Sequence, residues 1–375
     1  LDVDGQIGFE SGKVKTIRLN KAKWRRQDLH GVINVIPGGL DLELSGASFD
    51  AREALSGVPS DHQTDKAPPK PAKRRDRPPP DQREDVLPLN VKARFDRVWV
   101  SDEGSLKGVA FDGSRDKKDW RRLRLLGVPS EGGAPLLLEI VPAENNHRQL
   151  KMTSADAGAV FRSFDVFDNL KGGQLLIDGV YDDNDPRRPL AGHLTVADYQ
   201  LVKAPVLARL LTVAALTGIV EVLSGDGIHF QTLEGRFELV DGLLELQEAR
   251  ASGRSLGITA VGQFDFDTDV MNLEGTVVPM YMLNSALGNL PMLGRIFSAE
   301  KGGGVLAVNY TMTGLAQDPA VTVNPLSALT PGFLRHLFDA FGGESKTDSR
   351  PGTTKPQGPA KTKSEAPAPQ RPIEP

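Results

Sequence analysis

The chain contains no cysteine, which excludes a disulfide framework and every thiolate metal site. Histidine is sparse: six residues, at 30, 62, 147, 193, 229 and 336, none in an HxxxH or HExxH frame, so no zinc-hydrolase motif is present. There is no GxSxG nucleophile elbow. The one glycine triplet, Gly302-Gly303-Gly304, precedes a strand pattern rather than opening a helix, so it lacks the context of a phosphate-cradling loop. The net charge of −4 over 375 residues supplies no field for drawing in nucleic acid. Aromatic residues make up only 6%. No catalytic residue, cofactor or metal is expected from this inventory.

A membrane-spanning run is also missing. The longest apolar stretch, Tyr199 to Leu223, carries Arg209 and Glu221, leaving about eleven uninterrupted residues where a span needs ~20. Leu207, Leu210, Leu211, Ala214, Ala215 and Val222 recur at helical spacing there, Pro205 suits a first turn, and Gly225 and Gly227 stop it. The stretch reads as a buried or groove-lying helix. The chain opens at Leu1 with no charged-then-apolar leader, which reads as a piece of a longer protein or a processed form.

What is abundant is glycine (39) and proline (27), set between short runs of β-formers. Residues 1–56 read as strands at Val14–Leu19, Gly31–Ile36 and Leu40–Leu44, the last alternating Leu40, Leu42, Leu44 with Asp41, Glu43, Ser45 so that one face is apolar and one wet. Residues 57–85, with repeated Pro and the KRRDR run, have too few apolar residues to offset ordering entropy and read as a disordered insertion. Residues 86–153 return to strands. DKKDWRRLRLL (116–126) admits two readings, an anionic headgroup contact or a charged strand edge that deters aggregation. Residues 154–170 read as a helix, with Ser154 as cap, Asp156 in the first turn and Val160, Phe161, Phe164, Phe167 and Leu170 on one face. DDNDPRRP (182–189) reads as a turn that lacks the glycine and distal glutamate of a calcium loop.

From Gly227 hairpins follow, with Asp241-Gly242 as a two-residue turn. Leu256, Ile258, Phe264 and Phe266 share one face, repeated by Met271 and Leu273, then by Leu306, Val308, Tyr310 and Met312. Asp265, Asp267 and Asp269 alternate and read as an outer, solvated face. Tyr281–Phe297, kinked at Pro291, and a segment opened by Thr330-Pro331 with Phe333 to Phe341 read as helices. Residues 343–375 read as a disordered tail.

Five ordered blocks, SADAGAVFRSFDVFDNLKGGQL (154–175), PLAGHLTVADYQLVKAPVLARLL (189–211), LSGDGIHFQTLEGRFELVDGLLEL (223–246), VPMYMLNSALGNLPMLGRIF (278–297) and LAQDPAVTVNPLSALTPGFLRHLF (315–338), resemble the C-terminal region of the AsmA-like family of bacterial envelope proteins, specifically its large YhdP-type members related to TamB. The resemblance implies a mainly β fold: a long, bent antiparallel sheet forming an open apolar groove, with a few short helices near the C-terminal end. Residues 154–342 would be the AsmA-like C-terminal region. Asp156, Gly158, Gly172, Gly173, Pro279, Asn284, Gly294, Pro319, Asn324 and Pro325 fall on the motif as fold-determining positions. It further implies a non-enzymatic bridge for phospholipid across the periplasm. Such a bridge is anchored in the inner membrane by a segment not present here and ends near the outer membrane or one of its proteins. Leu256, Ile258, Phe264, Phe266, Met271, Leu273, Leu306, Val308, Tyr310 and Met312 would line the groove against acyl chains. The competing expectation is a structural or assembly-assisting β protein whose oily faces pack on each other.

Overall fold

The structure is a computed structural model that describes residues 1–56, 87–116, 119–214, 223, 225–279 and 308–324. All of these lie in one compact unit, Leu1–Phe341; a second, Gly342–Pro375, lies outside the described residues. So do the disordered readings of 57–85 and 343–375, the helices read at 281–297 and 330–341, and Leu306, Asn284, Gly294 and Pro325.

Seventeen strands form one sheet: β1 (Asp2–Glu10), β2 (Lys13–Trp24), β3 (Gln27–Ile36), β4 (Gly39–Asp50), β5 (Leu89–Trp99), β6 (Ser105–Asp116), β7 (Asp119–Pro129), β8 (Leu136–Ala143), β9 (His147–Ser154), β10 (Leu170–Asp182), β11 (Leu190–Leu201), β12 (Ile228–Val240), β13 (Leu243–Gly253), β14 (Leu256–Asp265), β15 (Val270–Pro279), β16 (Val308–Leu315) and β17 (Ala320–Asn324). Each strand pairs with its successor, antiparallel in every case except β4–β5. The sheet is therefore a long meander, open rather than closed. Pairing crosses the sequence-based boundaries: β4 pairs with β5 and β9 with β10, so 1–56, 86–153 and the region from 154 contribute to one ladder.

The parallel β4–β5 pair departs from the all-antiparallel expectation, and the chain supplies the reason. Leu40 sits beside Leu89 and Asp50 beside Trp99, so the chain must return the whole length of β4 before starting β5. A parallel neighbour needs a crossover of a dozen or more residues, and the 38 residues between Asp50 and Leu89 meet that length.

Several of the tight turns use left-handed residues. Asp241 (φ 49) and Gly242 (φ 77) form the expected hairpin turn, both central residues having the positive φ that matches strand twist.

Among the described residues three short helices accompany the sheet: α1 (Arg52–Ser56), α2 (Ala157–Ser163) and α3 (Pro205–Val213). They follow β4, β9 and β11, so among the described residues they are not gathered near the C-terminal end. The helix read over 154–170 is shorter than expected. Asp156, not Ser154, caps it, its Oδ1 accepting the Ala159 N–H at 3.0 Å. It ends at Ser163 because Asp165 turns left-handed (φ 55), and Leu170 already begins β10. Gly158 lets α2 lie on the sheet, since a Cβ there would stand 2.3 Å from the Leu170 carbonyl oxygen. Among the described residues no helix is long and apolar enough to cross a membrane.

α3 shows that the last seven strands bend. Arg209 reaches the β16–β17 turn, its guanidinium 2.7 Å from Asp318 and donating to the Pro319 carbonyl at 2.9 Å. Through successive pairings, Leu315 stands one residue beyond Leu190, at the opposite end of β11 from Leu201. On a flat sheet those points would be ~24 Å apart sideways and ~40 Å along the strands. The chain from Leu201 to Arg209, part extended and part helical, plus one side chain, covers only roughly 26 Å. The sheet therefore curls so that β17 meets α3.

Candidate functional site

Strand alternation and register together place every other residue of each strand on one face. One cross-strand row on that face passes through all seventeen strands. It runs Ile7, Ile17, Ile33, Leu42, Val91, Gly113, Leu123 and Ile140 over the first eight, and continues Leu150, Gly179, Gly192, Phe237, Leu246, Gly262, Leu273, Met312 and Val321. No polar side chain interrupts it. Where it holds glycine, the partner strand is close: a Cβ at Gly262 (φ 137) would lie 2.1 Å from the Asn272 carbonyl oxygen.

The row beside it faces the other way and alternates in charge: Glu43, Lys92, Asp112, Arg124, Glu139, Lys151 and Asp178 are successive cross-strand partners, followed by His193, Arg236 and Glu248. Arg124 and Glu139 lie 3.5 Å apart and Arg236 pairs with Glu248. Opposite charges across a ladder contribute roughly 0.2–1 kcal/mol per pair. Their larger effect is on register, because a one-residue slip would carry the whole charge ladder onto the apolar face.

The apolar face is covered unevenly. At the end carrying the helices it is packed: Leu106, Leu136, Val196, Phe230, Leu256 and Val277 are all 0% exposed, beside Leu207, Leu210 and Leu211 of α3 and Val160 of α2. Tyr199 stacks on Phe230 with ring centres 5.2 Å apart. Burial pushes the Tyr199 phenol well above its ordinary value. Away from this end Ile17, Ile33, Leu42, Val91, Leu150, Phe237, Leu246, Leu273 and Met312 are half-buried, while Leu123 and Ile140 of the same row are buried (7% and 6% exposed). Of the clefts on the described surface, one of about 480 Å³ is bordered mainly by polar groups, among them Glu274, Thr276, Asn309, Thr311 and Thr322, and one of about 490 Å³ is lined in part by Leu150, Gly179, Gly192 and Phe237 of the row itself.

The expected lining residues divide along the same line. Ile258, Phe264, Met271, Leu273 and Met312 share the face and are half-buried, with Phe264 opposite Met271 and Leu273 opposite Met312. Leu256, Val308 and Tyr310 share the face but are buried at the helix end, where the Tyr310 hydroxyl donates to the Thr259 carbonyl at 2.8 Å. Burial raises the Tyr310 phenol as it does Tyr199. Phe266 is not on the strand: β14 stops at Asp265, and Phe266 sits in the following turn, 48% exposed, its ring 4.8 Å from that of Phe264. The three aspartates do not share an outer strand face either. Asp265 is buried, and its carboxylate accepts the Asp267 and Thr268 N–H groups, closing the β14–β15 turn.

Of the expected fold-determining positions, Gly172 (φ 64) and Gly173 (φ 91) take left-handed conformations near the start of β10, Pro279 closes β15 beside Leu256, Pro319 receives Arg209, and Asn324 closes β17 beside Asn309.

One polar cluster, not foreseen from sequence, occupies the apolar side at the opposite end. Arg148 is 4% exposed. Its guanidinium donates to the Asp183 carboxylate at 2.8–3.1 Å and to the Trp120 carbonyl at 2.8 Å, and it lies 4.3 Å from the Tyr181 ring centre. Arg121 also donates to Asp183, at 2.6 Å, and Arg188 pairs with Asp119. Within the DDNDPRRP turn Asp183 is thus taken by arginines, while Asp182 accepts from Asn184 and Asp185 from the Arg187 N–H. Among the described residues no group of acidic and histidine side chains could hold a metal. Local sequence carries no sign of this cluster, whose members come from three separate hairpins.

Neither the family models, the curated proteins nor the solved structures compared with this chain give a match.

Proposed function

We propose that this chain is part of an open groove along which the acyl chains of phospholipid move, in a bridge-like protein of the AsmA-like, YhdP-type class in the bacterial periplasm. The observation that carries the reading is the unbroken apolar row. At ~4.8 Å per strand it is about 77 Å long. A lipid leaving a bilayer exposes ~0.8 kcal/mol per CH₂, on the order of 20 kcal/mol for two chains, and a continuous oily strip with no tight site removes most of that barrier. Water meets the charge ladder on the other face, so the sheet stays solvated while one side remains greasy. In this reading the protein is not an enzyme and needs no cofactor. Its partners are acyl chains, the inner membrane through an anchoring segment outside this sequence, and the outer membrane or one of its proteins.

A second reading, a structural or assembly-assisting envelope scaffold, draws on the helix end, where Leu256, Val308 and Tyr310 are sealed. The two separate on bound lipid. Protein purified without detergent and extracted with organic solvent should release phospholipid in at least equimolar amount. Lipid-free protein that keeps its β-sheet circular dichroism would favour the scaffold.

A further inference from the structure

We infer a lateral portal in the sheet between β7 and β8, through which an anionic-headed amphiphile passes between the apolar face and the outside; this rests on the groove reading above. Pairing between these strands runs only from Gly127–Leu136 to Leu123–Ile140. Beyond it Trp120 and Arg122 pair with β6 alone, and Val141 to Ala143 with β9 alone. The missing rungs are replaced by the ion cluster: Arg148 takes the Trp120 carbonyl and the Asp183 carboxylate, while Arg188–Asp119 ties the β10–β11 turn to the start of β7 across the short β8–β9 hairpin. This stretch of wall is held by side-chain charges where every neighbouring stretch is held by a backbone ladder.

The outer surface also changes character along this seam, at the gap itself (Val141, Val180) and beside the paired rungs that adjoin it (Leu126, Leu176). Leu126 (43% exposed), Val141 (42%), Leu176 (37%) and Val180 (41%) stand on the otherwise polar side of β7, β8 and β10. Register aligns Leu126 with Leu137, Thr153 and Leu176, and Val141 with Gln149 and Val180. Arg122, Arg124 and Lys151 are exposed beside them. An acyl chain crossing here finds apolar groups on both sides of the wall, with cations placed for a headgroup phosphate. Asp183 is the latch, since it holds Arg148 and Arg121 in the gap.

The absence of native cysteine allows a direct test. In the full chain, R124C/E139C places a disulfide across partnered positions of β7 and β8 and locks the seam; R236C/E248C does the same on β12–β13 as a control. A photoreactive residue replaces Val141, outside the seam, or Ile258, on the apolar face, and phospholipid adducts are counted in cells. The portal predicts that oxidising R124C/E139C lowers adducts at 141 at least fivefold, that the control lock does not, and that Asp183→Asn raises them. Adducts at 258 with none at 141, or adducts at 141 indifferent to the lock, overturn the portal and leave the groove standing. No adducts at 258 overturn both. If Asp183→Asn does not fold, the lock decides alone.

Discussion

Leu256 and Ile258 lie two residues apart on β14 and point to the same face, yet one is 0% exposed and the other half-buried. Placing aspartate at each measures how much of the face is roofed. Truncating a fully buried leucine costs about 2–5 kcal/mol, and an unpaired carboxylate adds several more, so Leu256→Asp should abolish stable folding of the C-terminal strands. Full burial of isoleucine is worth ~1.5–3 kcal/mol. Ile258 realises only part of that and leaves a carboxylate access to water, so Ile258→Asp should cost about 1–2 kcal/mol. With a urea slope of ~1–3 kcal/mol per molar, the midpoint should fall by roughly 0.5–1 M while circular dichroism in buffer stays unchanged. Two lost methylene contacts on the lipid path are worth ~1.6 kcal/mol, so adducts from a photoreactive group at Phe264 should drop about tenfold. Equal destabilisation by the two variants would mean that Ile258 is sealed, and the reasoning from half-burial would fail.

Other outcomes follow from the same geometry. Asp183→Asn leaves Arg148 buried with its charge uncompensated and should cost about 3 kcal/mol, read as faster amide exchange in Asp119–Arg122 and Ala143–His147 with the helix end unchanged. Gly158→Ala puts a methyl 2.3 Å from the Leu170 carbonyl oxygen and should cost about 1–3 kcal/mol by overpacking, seen as a lowered thermal midpoint. The Tyr199 and Tyr310 phenols are raised by burial, so their neutral forms stabilise the fold fully below the unfolded value of ~10. That stability is lost as pH rises from there toward the higher folded values. Alkaline unfolding should therefore begin above pH ~10, and a Tyr199→Phe/Tyr310→Phe protein should unfold later; an unchanged profile would contradict the assignment.

Much of the sheet was legible locally. The alternation in Leu40–Leu44 and Leu256–Phe264 assigns both strand and face, and Asp241-Gly242 marks its turn. β1 and β9 are weakly marked in the sequence because Asp2–Glu10 and His147–Ser154 carry few apolar residues, and their partners rather than their own propensities make them strands. The overlong helix at 154–170 shows the opposite error: phenylalanines at helical spacing do not outweigh the left-handed turn at Asp165. Phe266 continues the period of two of β14, but the Asp265 side chain ends the strand before it. The row across seventeen strands is the sum of sixteen registers, and register belongs to pairs of segments. The Arg148–Asp183 cluster is hidden for the same reason, as its groups meet only when a short hairpin lies between two longer ones.

The central claim is tested most directly by scanning one photoreactive residue along the two adjacent rows in living cells. Positions 33, 246 and 258 sample the apolar face, and positions 43, 92 and 236 the charge ladder. The account predicts phospholipid adducts at all three of the first set and none at the second. Equal labelling of both faces, or lipid at neither, would contradict it.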